Sequence, residues 1–153
     1  MGYQIYFGDF LRRLRKQRRM SLRALSQKTC PRVSEKYISL LERRYRERPS
    51  RAVIDSLLKA LDSTEKESCI IEHLINYRTI DSEVLDFFLK DENVKVHDLG
   101  TLIFIAAADD RNPNPKSASY FREALNALDE MAKKSHEDWV RQIADKMRRS
   151  DSS

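Results

Sequence analysis

Glycine is nearly absent from this chain, with three in 153 residues, and four prolines and two cysteines accompany it. So little turn-forming material excludes a fold built from many hairpins, while abundant Leu, Ala, Arg, Lys and Glu favour helices, and an all-α protein is expected. Cys30 and Cys69 form no CxxC pair, and His73, His97 and His136 stand apart from them. That spacing gives neither a disulfide framework nor a zinc site, and no metal or cofactor is expected. Long apolar runs are missing too. The longest, Leu102 to Ala108 (LIFIAAA), falls far short of the ~20 residues of a membrane span. The opening MGYQIYFGDFLRR has no signal-peptide apolar stretch, so a cytoplasmic location is expected, with no membrane partner. There is no HExxH, no phosphate-cradling glycine loop, no nucleophile elbow and no paired catalytic groups, so the protein is not expected to be an enzyme.

What the chain does have is charge, unevenly placed. Residues 1–62 hold 16 Lys/Arg against 6 Asp/Glu, a net of +10, whereas residues 63–153 hold 13 against 18, a net of −5. A basic first segment joined to an acidic second one suits a polyanion-binding module attached to an interaction module. With 41% hydrophobic and 35% charged residues, the chain can bury a core and remain soluble.

Periodicity places the helices. Phe7, Phe10, Leu11 and Leu14 fall at i, i+3, i+4, i+7, predicting a helix over about 9–18 with one apolar stripe. Ser21 is a suitable N-cap for a short second helix with Leu22, Leu25 and Thr29 inward, closed by Cys30-Pro31. Ser34 caps a third, with Ile38, Leu41 and Tyr45 on one stripe, running to about Arg44 before Pro49. Ser50 caps a fourth carrying Ile54, Leu57, Leu58 and Leu61, and Thr64 to Glu67 has capping-box spacing for a fifth. Weaker helical patterns follow over 82–90 and about 96–109. The segment RNPNP at 111–115 breaks them, and a last pattern runs from Phe121 to Met147 with a break around Ser135-His136. Domains are therefore expected at 7–78 and 79–149.

The stretch from Phe7 to Leu61 resembles the phage-repressor, or Cro-like (XRE), helix-turn-helix family. The likeness rests on Leu11-Arg-Arg-Leu-Arg15, Met20-Ser-Leu-Arg-Ala-Leu-Ser26, Val33-Ser-Glu-Lys-Tyr-Ile-Ser-Leu-Leu-Glu42, and Pro49-Ser50 followed by a Leu-rich helix ending Ala60-Leu61. The order and spacing of these pieces agree together. The resemblance implies a five-helix Cro-like bundle followed by a helical C-terminal region. It further implies a largely buried ion pair between Arg15 and Glu42. Two departures stand out. Between Leu25 and Glu42 the chain is two residues longer than the family pattern, with Cys30-Pro31-Arg32 in place of the turn glycine. Arg44 stands where a glycine commonly follows the family glutamate.

The resemblance places Glu35, Lys36, Tyr37 and Leu40 where family members read bases. Chemistry agrees: an ammonium can donate to guanine O6 and N7, a carboxylate can accept from the cytosine amine, and an apolar side chain can pack on the thymine methyl. Ser21, Ser34 and Arg43 fall where phosphates are often touched, and Arg23, Arg32, Arg44, Arg46 and Arg48 complete the expected phosphate framework. The function implied is a sequence-specific double-stranded-DNA-binding transcriptional regulator, most simply a repressor. It would act as a homodimer joined through Phe121, Leu125, Leu128, Trp139 and Ile143. The alternative keeps the fold and makes the chain an antitoxin-like module that masks a protein partner, with DNA binding secondary.

Overall fold

The structure is a computed structural model that describes residues 2–108 and 117–150 of the chain. Among these, eight helices and two short strands follow in the order β1 (Gln4–Tyr6), α1 (Phe7–Gln17), α2 (Leu22–Lys28), α3 (Glu35–Glu42), α4 (Arg51–Ala60), α5 (Glu65–Tyr77), β2 (Thr79–Asp81), α6 (Ser82–Lys90), α7 (Asp98–Ala108) and α8 (Ala118–Ser150). The protein is thus mainly helical, as composition implies. The expected RNPNP break lies outside the described residues.

The helix starts are set by local chemistry. The Ser21 hydroxyl accepts from the Ala24 amide at 3.0 Å, and that of Ser34 from the Tyr37 amide at 3.2 Å. Thr64 and Glu67 bond reciprocally, at 2.9 and 3.2 Å. Each arrangement satisfies amides that a helix N-terminus leaves open. Ser50 occupies the N-cap of α4, but its side chain makes no capping bond; the turn is closed through its carbonyl instead.

Between these helices lies one continuous core. Phe10, Leu11 and Leu14 of α1, Leu25 of α2, Ile38 and Leu41 of α3, Leu57 of α4, and Ile70, Ile71 and Leu74 of α5 are all buried. Each such side chain contributes roughly 1.5–3 kcal/mol relative to exposure. Tyr45, expected on the same stripe as Ile38 and Leu41, is instead exposed. The third helix ends at Glu42, two residues before the expected Arg44, because Arg44 adopts a left-handed backbone (φ 63°). This is the position at which the resembling family commonly has glycine, and past it the helical period no longer applies.

Two further differences from the sequence reading concern long-range pairing. The two-stranded sheet was not expected, since three-residue strands carry no readable alternation. Its register sets Ile5 opposite Ile80, both buried, so the chain before α1 is zipped to the chain after α5. The unit boundary also lies later than 78. Residues Met1–Pro115 form one compact unit and Lys116–Ser153 a second. The sheet, a 2.9 Å ion pair from Arg13 to Asp86, and the Lys66 ammonium donating to the carbonyls of Phe88 and Asp91 at 2.8 and 2.7 Å tie α6 to the first bundle. The second unit is a single continuous α8, without the expected break at Ser135-His136.

Gly8 sets how closely the ends of two helices approach. A Cβ placed there would lie 2.2 Å from the carbonyl oxygen of Leu41, so α1 can begin directly against the C-terminus of α3 only with glycine. Gly8→Ala is accordingly expected to cost about 2–3 kcal/mol through overpacking against backbone. Gly100→Ala, where a Cβ meets nothing within 4 Å, should be neutral or stabilise α7 by up to about 1 kcal/mol. Urea unfolding of the two variants beside the parent checks both.

Candidate nucleic-acid interface

Helices α2 and α3 pack on each other, α1 packs against α3, and α2 also meets α4. The connection between α2 and α3 is fixed by hydroxyl groups where a glycine turn would otherwise do it. The Ser26 hydroxyl donates to the Val33 carbonyl at 2.7 Å and the Thr29 hydroxyl to the Ser26 carbonyl at 2.7 Å, while the Val33 amide donates to Thr29 Oγ1 at 2.8 Å. From α4, the Ser56 hydroxyl donates to the Pro31 carbonyl at 2.8 Å. These groups are largely sequestered from water, so each bond spares a polar atom the desolvation cost of standing alone. The longer connection is thereby held in one geometry.

Arg15 determines where α3 lies relative to α1. Its guanidinium forms a two-pronged bond to Glu42, Nε to Oε1 at 2.6 Å and the second prong to Oε2 at 2.7 Å, and also donates to the Met20 carbonyl at 2.8 Å. Both side chains are nearly buried, at 11% and 6% exposure. Donating to the Glu42 carboxylate raises the guanidinium above its ordinary pKa against the opposing effect of burial. Other basic side chains of the first unit are also spent internally. Arg18 bonds Glu67 at 2.6 Å and the Leu61 carbonyl, and Arg13 bonds Asp86.

Held this way, the N-terminus of α3 presents Ser34, Glu35 and Lys36 to solvent, with Tyr37 and Leu40 half-buried beside them. Glu35 and Lys36 have no ionic partner among the described residues. Ser21 and Arg23, at the start of α2, and Arg32, in the connection, are exposed. Arg43, Arg46 and Arg48 are likewise exposed and have no acidic partner among the described residues. Arg44 differs from them. Its guanidinium lies 4.6 Å from the centre of the Tyr6 ring, and its Nε is 3.9 Å from Asp9, so it is turned back onto the start of α1.

Four arginines line one small pocket: Arg44, Arg46 and Arg48 from the α3–α4 loop, and Arg78 from the end of α5. Tyr6, Phe7, Leu41, Leu74 and Ile75 supply its apolar walls, and Glu47 is the single acid in the lining. Arg78, with a left-handed backbone (φ 71°), was not among the residues singled out from sequence. Thirty residues separate it from Arg48, and nothing local announces their meeting. The fold does not bring Arg23, Arg32 or Arg43 into this pocket.

Residues 7–68 match a family model described as a helix-turn-helix domain. No curated protein and no solved structure matches the chain. The segment from α1 to the first turn of α5 is therefore a helix-turn-helix domain.

A nearly buried ion pair makes a definite demand on mutants. Glu42→Ala strands the Arg15 guanidinium and is expected to cost about 3–5 kcal/mol, whereas Arg15→Met combined with Glu42→Leu should recover most of that loss. Chemical denaturation of the single and double variants gives the comparison.

Proposed function

We propose that this protein is a sequence-specific double-stranded-DNA-binding transcriptional regulator, most simply a dimeric repressor that acts by occupying its site. The observation that carries the reading is the exposed N-terminus of α3 in a helix-turn-helix domain, locked by Arg15–Glu42 and accompanied by guanidiniums with no acidic partner among the described residues. A major groove about 12 Å wide admits a helix, and the first side chains of that helix meet base edges. Lys36 and Glu35 are the polar readers in this account, and Tyr37 and Leu40 the apolar ones. Ser21, Ser34, Arg23, Arg32, Arg43, Arg46 and Arg48 grip phosphates. Arg44 plays a lesser part there, being already engaged with Tyr6 and Asp9. Arg78 joins the phosphate framework because it shares a pocket with the loop arginines.

One domain of this size reads few base pairs. Two copies on a two-fold site, about 34 Å or a multiple apart, supply the affinity, with α8 as the joining element. Phe121 is buried and Leu125 half-buried, so the accessible part of the joining surface is Leu128, Trp139 and Ile143, with Met131 beside them. A cytoplasmic location and a non-enzymatic role accompany this reading. The second reading, an antitoxin-like module, is favoured by the same exposed apolar residues, which suit a different protein partner as well. Stable co-purification of a small, unrelated protein would distinguish it.

Enrichment of duplexes from a random pool tests the main proposal: recovery of a common sequence with paired half-sites supports it, and no enrichment over the input pool rejects it. Lys36→Ala is expected to relax base preference with a modest loss of affinity. Arg46→Ala and Arg78→Ala should each weaken binding to every duplex and reduce the slope of log affinity against log salt by about 1. Fluorescence anisotropy with selected and random duplexes over a salt series separates the two behaviours.

A further inference from the structure

Helix α8 carries Leu128, Ala132, Ser135, Trp139 and Ile143 at spacings of three and four residues, so they share one stripe, with Met131 at its edge. Trp139 is 57% and Met131 68% exposed, an apolar surface unusual on a helix that is otherwise charged. Along one border of the stripe, Met131, Lys134, Ser135, Asp138, Trp139 and Gln142 line a single shallow groove. The groove thus holds a base and an acid one turn apart. Lys134 has no acidic partner among the described residues, and Asp138 has only Arg141 at 3.9 Å, a distant, exposed contact. Lys134 is thus left without an ionic partner among the described residues, and Asp138 holds only that long contact within its own helix.

We infer that α8 pairs with α8 of a second copy in antiparallel orientation, about a two-fold axis beside His136. Two antiparallel helices related by such an axis place the same flank of each against the other. With the axis at this position, Lys134 of each copy meets Asp138 of its partner, giving two symmetric ion pairs. Leu128 comes level with Ile143, and the Trp139 indole comes level with Ala132, whose small side chain leaves it room. Ser135, also small, lies next to the axis, where the two helices approach most closely. A parallel, in-register pair satisfies none of this. It sets the two Trp139 rings at one level and brings Lys134 of each copy level with Lys133 and Lys134 of the other.

The inference rests on α8 as the joining element of the proposed function, not on DNA binding, and it is tested on the full chain without DNA. Sedimentation equilibrium is expected to show a dimer at tens of micromolar. Lys134→Glu alone sets acid against acid across the axis, and Asp138→Lys alone sets base against base; each should weaken dimerisation about tenfold or more. An equimolar mixture of the two variants rebuilds both pairs, Glu with Lys and Lys with Asp, only between different chains, and should return association to near the parent level. Trp139→Ala, which leaves every charge in place, should also weaken the dimer. Circular dichroism of each variant shows whether its helix content matches the parent, and the mixture answers the question even where a single variant loses some helix. A mixture that associates no better than either variant alone overturns the antiparallel pairing, as does a parent chain that stays monomeric. Loss of DNA selection with the charge-swap result intact would reject the DNA reading and leave this pairing standing.

Discussion

The two-pronged bond between Arg15 and Glu42 fixes the angle at which α3 leaves the bundle. A guanidinium and a carboxylate, both nearly out of water, are stable together only in a narrow geometry, because each bears a large desolvation cost that the other must offset. An apolar contact between α1 and α3 tolerates sliding, whereas a fork-to-fork bond does not. Gly8 acts in the same direction from the other end, bringing the first turn of α1 against the Leu41 carbonyl so that the two helices cannot separate without losing contact. The exposed end of α3 is therefore a consequence of how its buried end is held.

The basic character of residues 1–62 divides into two uses. Arg13, Arg15 and Arg18 are consumed by acids that join elements distant in sequence, namely Asp86, Glu42 and Glu67. Arg23, Arg32, Arg43, Arg46 and Arg48 face solvent without acidic partners among the described residues. Arg44, Arg46, Arg48 and Arg78 line the same pocket with Glu47 as the one acid in its lining, while the Arg44 guanidinium is held over Tyr6 and beside Asp9. The positive field also reaches beyond the contacts themselves, and at about 8 Å of screening length in physiological salt it acts mainly at close approach.

The second unit follows different physics. Its one helix among the described residues, α8, keeps Leu128, Met131 and Trp139 in water. Helices of this kind gain stability chiefly by covering an apolar face, and the proposed pairing with a second copy would cover this one.

Much of this protein was determined locally. The spacing of Phe10, Leu11 and Leu14 and the caps at Ser21, Ser34 and Thr64 specify helices because side-chain period and amide satisfaction are properties of a few neighbouring residues. The resemblance likewise marked Arg15 and Glu42 as partners and the start of α3 as an exposed end. What the chain could not reveal alone depends on meetings between distant residues. The pairing of Ile5 with Ile80, the extension of the first unit past 78, the inward turn of Arg44 onto Tyr6 and the arrival of Arg78 beside Arg48 each join segments tens of residues apart. Tyr45 shows the same division from the other side: its spacing suits a buried stripe, but a left-handed residue just before it ends the helix and leaves it in solvent. Periodicity encodes a helix only while the backbone stays helical, and where it stops is decided by the packing of the whole fold.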